Sequence, residues 1–452
     1  MFFRLPSRHR PYHLGSYPLE TLPHDHAITA REQERPAIDP PGFTAKPCGP
    51  LARALREYLD VFVRNAVTEP APVKAPVPED PHRRMIDIKG YSYFMNASQV
   101  GVCRLTPNAW CKSASPLAHD FAVVLLLAHG RVPETDNPAR AWIEPAIEDA
   151  ADCRIGGIAV CLAGHISQLG WSATSHVKAA GLVDAERLSV LAGLNVRVGD
   201  QLRNPFIDRG FSLAVVTTDY AMAADQPLSA TVLQTKGLSY WLGRNGATSG
   251  RERNRRARRA THLGAYPMET VKRVDRPTTI IFDDEVPRVS KRAAFFDRAL
   301  RGDLGAKAQR ERHRFAFKQP HTAGMMASMR AMASIQDGEP GPAAPDNRYT
   351  DAAANSRALK SLSYLLGANI TGICEVPEYA WHSHGADGEP LEQKHKFAVV
   401  MLIDQEFDTM EGASGDDWIS GTQSMRAYLR GAEIAGIMAE MMRQIGFPAR
   451  SQ

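Results

Sequence analysis

The segment Tyr364-x3-Ala368-x3-Gly372-x-Cys374-x6-Trp381 occurs twice in this chain: 271 positions upstream the sequence reads Tyr93-x3-Ala97-x3-Gly101-x-Cys103-x6-Trp110. Further out, His395-x-Phe397-Ala398-Val399-Val400 repeats His119-x-Phe121-Ala122-Val123-Val124 at a shift of 276. The same shift carries Ile445-Gly446-Phe447-Pro448-Ala449-Arg450-Ser451 onto Leu169-Gly170-Trp171-Ser172-Ala173-Thr174-Ser175. Nearer the N-terminus, His262-Leu263-Gly264-Ala265-Tyr266-Pro267 matches His13-Leu14-Gly15-Ser16-Tyr17-Pro18. Several motifs kept in one order point to an internal duplication.

The bulk properties bound what such a chain is. Its 452 residues give room for two ordinary domains, and 44% hydrophobic with 23% charged residues is the composition of a globular protein. A net charge of +4 implies no bulk attraction to nucleic acid. The longest apolar run, Phe121 to Ala128, is far short of the roughly 20 residues of a membrane helix. Met1-Phe2-Phe3-Arg4-Leu5-Pro6 leads into Ser7-Arg8-His9-Arg10 without a sustained apolar stretch, so the cytoplasm is the expected location. Six scattered cysteines without a CxxC pair fit a reducing compartment.

Along the chain, residues 1–80 read as an N-terminal arm followed by a helix from Leu51 to Val67, whose apolar positions keep a helical period. Residues 81–230 form the first copy. Phe121–Ala128 and Phe211–Thr218 read as buried strands of a parallel sheet, and Ala146–Leu169 and Leu182–Leu191 as helices. Residues 231–261 read as a basic linker; the functional reading of its Arg251–Arg259 run is an anionic partner such as an electron donor or RNA, the plainer one a solvated face. Residues 262–452 form the second copy, with a short strand expected at Ile280–Phe282, a helix at Arg292–Leu300, a loop at 337–349, a strand at Phe397–Ile403 and a helix at Thr422–Ile445. Copy one continues for some fifty residues past Ser175, whereas Gln452 alone follows Ser451, so the second copy is expected to lack its last helix and strand. The fold class expected is α/β, with two duplicated lobes, the second incomplete.

In Glu375-Val-Pro-Glu-Tyr-Ala-Trp-His-Ser-His384, Val399–Ile403 and Gly446-Phe-Pro-Ala-Arg-Ser451 the chain resembles the cobalamin-dependent reductive dehalogenases, in particular their soluble catabolic branch. Copy one is similar to that family's downstream motifs at Leu191-Ala-Gly-Leu194, Asn204-Pro-Phe206 and Ala214–Asp219. The resemblance implies nitroreductase-like or corrinoid-domain lobes, a degenerate N-terminal copy before a catalytic-type copy, and cobalamin as cofactor. It implies reductive removal of halide from an organohalide, expected to be aromatic, with electrons from iron–sulfur clusters and a ferredoxin or flavin reductase as the outer donor. No C-x2-C-x2-C-x3-C-P run is present, so the cluster ligands are missing from this sequence. Asn195-Val196 follows Leu194 where the working copy continues Gly-Glu, which marks copy one as the non-binding copy.

The family's proton donor is a Tyr beside a Lys or Arg that favours phenolate. Carried onto this chain, the donor position is Tyr379 or His382, with Arg450 as the cation. Each also has a plainer reading: Tyr379 as a half-buried aromatic, Arg450 as a helix cap or the partner of a nearby acid. His382-x-His384 has no third ligand at a recognisable spacing, so no metal site is expected. Cys103 and Cys374 read as small core residues, and His119 and His395 as structural. Two rivals stand: an epoxyqueuosine-reductase-like enzyme, which is not built on a duplication, and a non-catalytic decayed paralogue that keeps only the fold.

Overall fold

The computed structural model describes residues 10–452 apart from 44–45, 113, 179, 235–236, 244–246, 273, 276–278, 281, 283, 313–319, 343–348, 407–408 and 410–417. Of the expected elements, the Ile280–Phe282 strand and the 337–349 loop fall partly outside these residues. The chain forms two compact units. The first is Met1–Pro133, Arg140–Ala260 and Pro320–Ile335; the second is Glu134–Ala139, Thr261–Gln319 and Gln336–Gln452. Mixed α and β structure with small sheets and many helices runs through both. Among the described residues no helix is long and apolar enough to cross a membrane.

In the first unit, helix α1 (Gly49–Arg64) starts with Pro50 in its first turn, where a missing N–H costs nothing. It buries Leu51, Leu55, Tyr58, Leu59 and Phe62 along one stripe. That stripe packs on the long helix α3 (Ile147–Gln168), reached through α2 (Pro81–Phe94), β1 (Gln99–Arg104) and β2 (Phe121–Ala128). Gly156 of α3 makes the approach possible, since a Cβ there would lie 2.4 Å from Leu59 Cδ1. After α3 come β3 (Ala173–His176), α4 (Ala185–Leu191), the small hairpin β4 (Val196–Val198) and β5 (Gln201–Arg203), and β6 (Phe211–Thr218). The four-stranded sheet has the order β1-β2-β6-β3 with every pair antiparallel. The expected parallel sheet is therefore corrected: a run such as Phe121–Ala128, buried on both faces, carries no direction in its composition. The stretch 231–261, expected as a linker, instead adds helices α5 (Gly237–Leu242) and α6 (Gly250–Ala257) to the first unit. Helix α7 (Ala323–Met332) lies against α3, with Gly324 over Cys161 so closely that a Cβ would meet its carbonyl oxygen at 2.7 Å.

The second unit contains α8 (Ala352–Leu366), the antiparallel pair β7 (Ile370–Glu375) and β8 (Phe397–Leu402), and the long helix α9 (Trp418–Gln444). Its sheet register reproduces that of the first unit. Gly101 faces Val124 and Cys103 faces Ala122; Gly372 faces Val400 and Cys374 faces Ala398. The turn before the strand recurs too. Asn96 and Gly367 both take positive φ after a helix, and the next N–H returns to Ser92 and Ser363 respectively, closing the same C-terminal motif. Tyr93 Oη accepts from Val100 N–H at 3.1 Å, and Tyr364 Oη from Thr371 N–H at 3.2 Å.

The covering of the two sheets differs. Val124 and Leu126 are buried beneath Leu188, Leu191, Leu194 and Val215. Among the described residues β8 pairs with β7 alone, and Phe397, Val400 and Leu402 are 59%, 48% and 56% exposed.

Candidate functional site

The sequence-derived candidates lie in the second unit. Strand β7 runs out at Glu375, Pro377 opens a single 3₁₀ turn (Glu378–Ala380), and this turn carries Tyr379, which is half-buried. Trp381 and His382 follow. Arg288 fixes their backbone, donating to the carbonyl oxygens of Trp381 (3.3 Å), His382 (2.7 Å) and Leu391 (2.8 Å). The Trp381 ring stacks on His395 at 6.1 Å between centroids. His382 Nδ1 lies 3.2 Å from the carbonyl oxygen of Val289. A carbonyl only accepts, so the proton sits on Nδ1 and Nε2 is left to face outward partners. Tyr379 and His382 thus share one braced turn.

Arg450 is placed otherwise. Its guanidinium is 3.5 Å from Asp337, and the neighbouring Ser451 N–H donates to Gln336. The buried Arg443, paired with Glu440 at 2.6 Å, donates to Ala449 and holds this C-terminal turn in place. Arg450 therefore has an acid partner on the 336–338 loop, and among the described residues it contacts neither Tyr379 nor His382.

The first unit shows what the equivalent positions do there. Asn108, Cys111 and Thr174 stand where the second unit has Tyr379, His382 and Arg450. Behind them runs a buried polar chain whose direction follows from one amide. Leu182 N–H donates to His176 Nδ1, so His176 Nε2–H donates to Thr217 Oγ1 (2.9 Å). The Thr217 hydroxyl then donates to His119 Nδ1 (2.8 Å), and His119 Nε2–H to Ser172 Oγ (2.8 Å). Burial lowers both imidazoles, His176 to about 4, so both are neutral at pH 7. The chain ties β2, β3 and β6 together.

The first unit also has a cavity of about 520 Å³ beside the start of α3, lined by Glu148, Asp152, Lys178 and Ser212 among others. Lys178 donates to Glu148 and lies 3.2 Å from Asp152. The hydrogen bond from Lys178 holds Glu148 below the usual carboxylate range, while burial raises Asp152. Two carboxylates pushed apart in this way are able to act as acid and base. Sequence reasoning passed over them, although Glu148 and Asp152 are one helical turn apart on α3. The cavity is sized for a drug-like molecule and does not fit a corrinoid. Among the described residues no group of three His, Cys, Asp or Glu is arranged to hold a metal ion.

In fold and in sequence the chain is similar to reductive dehalogenases. The chain matches a B12-dependent reductive dehalogenase structure at 40% identity and TM-score 0.90, over 99% of this chain and 64% of that one. It matches the catabolic reductive dehalogenase NpRdhA in complex with 3-bromo-4-hydroxybenzoic acid at 40% identity and TM-score 0.90, over 99% and 64%. A single-substitution variant of NpRdhA gives 41%, 0.91, 100% and 65%. The chain thus spans less than two thirds of the length of these relatives. No family profile and no curated protein matches it.

Proposed function

We propose that this chain is part of an enzyme that reductively removes halide from an aromatic organohalide, with cobalamin as cofactor. The single observation that carries this reading is the 40% identity to B12-dependent reductive dehalogenases over 99% of the chain at TM-score 0.90. A relative's complex with 3-bromo-4-hydroxybenzoic acid supports a halogenated hydroxybenzoate as the substrate class. The net change replaces a carbon–halogen bond by carbon–hydrogen, consuming two electrons and one proton and releasing halide. Reduced cobalamin, when bound, supplies the electrons to the carbon–halogen bond.

This chain's own residues handle the proton. In this reading Tyr379 Oη delivers it, or His382 does so from Nε2–H when its ring carries a second proton besides the one held on Nδ1 by Val289, and the Arg288 hydrogen bonds keep the donor turn in place. Arg450 serves as the cation only if it leaves Asp337. Among the described residues none is assigned to hold the corrinoid.

The repeated register, helix C-termini and tyrosine contacts further support two duplicated lobes; the resemblance of copy one to a non-binding copy makes it the degenerate one in this proposal. Iron–sulfur clusters and a ferredoxin or flavin reductase complete the electron supply in this proposal.

The test is anaerobic turnover of 3-bromo-4-hydroxybenzoate by protein loaded with cobalamin, with titanium(III) citrate as reductant. The expected result is stoichiometric bromide and 4-hydroxybenzoate. Absence of bromide from cobalamin-loaded protein would sink the reading.

A further inference from the structure

The run Arg251–Arg259 holds six arginines and one glutamate, a net +5 in nine residues. The whole chain carries +4, so everything outside this run sums to −1. The protein's positive charge is therefore local, and its structural setting differs from that of a solvated linker. Ser249 caps α6 by accepting from Glu252 N–H. Arg253 turns inward, its guanidinium 3.7 Å from the centroid of the Tyr17 ring and donating to Ser16. Tyr17 stacks on Phe206 (5.6 Å), and Phe206 on Tyr240 of the preceding helix (5.2 Å). At the far end, Arg131 donates to the carbonyl oxygens of Ala257 and Arg259. Helices α5 and α6 are thus bolted to the first unit through one inward arginine and an aromatic stack.

What this mount presents outward is amphipathic. Arg251, Arg255, Arg256 and Arg258 are exposed, with Glu252 bridging Arg255 and Arg256. Beside them α5 exposes Leu238, Trp241 and Leu242 at 77%, 50% and 70%, at the i, i+3, i+4 spacing that forms one ridge. The two helices touch, because Gly250 lets the Trp241 ring approach: a Cβ there would lie 2.7 Å from Trp241 Cε3. An apolar ridge built on Trp and Leu and flanked by arginines has the composition of a protein-binding hot spot.

We propose that α5 and α6 form the docking surface for an acidic protein that presents carboxylates around an apolar centre. Charge complementarity selects this occupant. A second copy would set +5 against +5. Single-stranded nucleic acid needs several free aromatic faces for successive bases, and Trp241, with one face on Gly250, is a lone platform. Three apolar side chains on a six-residue helix give little area for insertion into a lipid surface. The surface stands on these contacts whether or not the reaction proposed above is correct. That reaction only guides the choice of probe, since a two-electron reduction calls for small carrier proteins, many of which are acidic.

The test is binding of purified [2Fe–2S] ferredoxin and of flavodoxin to the full chain, by calorimetry at 20 and 300 mM NaCl. Binding by either carrier is expected, weakening at least tenfold at high salt. Arg251→Glu with Arg258→Glu should abolish it, and Leu238→Ser with Leu242→Ser should weaken it at least tenfold. Arg209→Glu, an exposed arginine elsewhere, should leave it unchanged. Because all the test residues are exposed, an unaltered melting temperature separates lost docking from lost folding. Failure of both carriers to bind, or equal loss with Arg209→Glu, overturns the proposal. Tighter binding to poly(U) RNA, or to vesicles of 30% phosphatidylserine, with the same variant sensitivity also overturns it. Bromide release driven by titanium(III) citrate involves no carrier, so failure of the catalytic reading is scored separately.

Discussion

Arg430, on the long helix of the second unit, donates to the carbonyl oxygen of Leu366, the residue just before the left-handed Gly367. Arg154 in the first unit donates to Met95, just before the left-handed Asn96. In each unit a buried guanidinium therefore closes the C-terminus of the helix that leads into the sheet, where orphan carbonyls need a donor. Arg430 is further paired with the buried Glu433 at 2.5 Å.

Arg430→Met removes both the cap and the cation beside Glu433. The expected cost is about 3–5 kcal/mol, confined to the second unit, with most of it recovered by Arg430→Met/Glu433→Leu. Hydrogen exchange should show faster opening of β7 and β8 with β1 and β2 unchanged. Equal loosening of both strand pairs would contradict this assignment.

The glycines at matching register positions of the two strand pairs give a paired prediction. A Cβ at Gly101 would lie 2.2 Å from the Ala192 carbonyl oxygen, whereas one at Gly372 meets nothing within 4 Å. Gly101→Ala should cost about 1–3 kcal/mol and Gly372→Ala should stay within about 0.5 kcal/mol of wild type. Denaturant midpoints of the two variants, measured side by side, decide it.

Acid should loosen the first unit. Burial pushes His176 down to about 4, and lowers His119, below the ordinary histidine value of about 6.5. Between those values the unfolded chain binds protons that the folded chain refuses. Stability therefore rises with pH across this window: it is fully present above about 6.5 and is lost as pH falls toward 4. The contribution of His176 is on the order of 3 kcal/mol. His176→Gln should flatten the pH dependence of the denaturant midpoint between pH 4 and 6.5; an unchanged slope would remove His176 from the account.

The two donor candidates separate kinetically. If Tyr379 delivers the proton, Tyr379→Phe should lower bromide release roughly a hundredfold or more while His382→Gln has little effect; the reverse pattern assigns His382. Arg450→Met should change stability by less than about 1 kcal/mol, because its pair with Asp337 is exposed. Its effect on bromide release then tells whether that cation ever leaves Asp337.

The repeat was legible because it is written in types that are hard to replace. Tyr93 and Tyr364 each spend their hydroxyl on a strand N–H. Gly15 and Gly264 each lie on one of those rings, where a Cβ would come within 2.3 and 2.6 Å of it. Strand direction was not legible, since β2 is one apolar run and the central stretch of β6 is buried on both faces, a pattern that parallel and antiparallel neighbours share. The pairing of Arg450 with Asp337 spans too much chain to read from spacing. The Arg251–Arg259 run read as a solvated face because its mooring, Tyr17, lies far away in sequence. The cavity acids Glu148 and Asp152 escaped notice for a similar reason: Lys178, which makes them a cluster, comes from beyond the helix.

The uncovered sheet of the second unit has a practical consequence. Strand β8 offers Val400 and Leu402 to water, beside a backbone edge with no second neighbour among the described residues. Such an edge does not choose its visitor by identity, only by shape and arrival time. During synthesis or refolding, any stray apolar strand is free to pair with this ladder, and concentration decides how often one does. Yield and homogeneity of this protein should therefore depend on dilution and on short soluble β-strand peptides added in trans, which act as placeholders on an open seam.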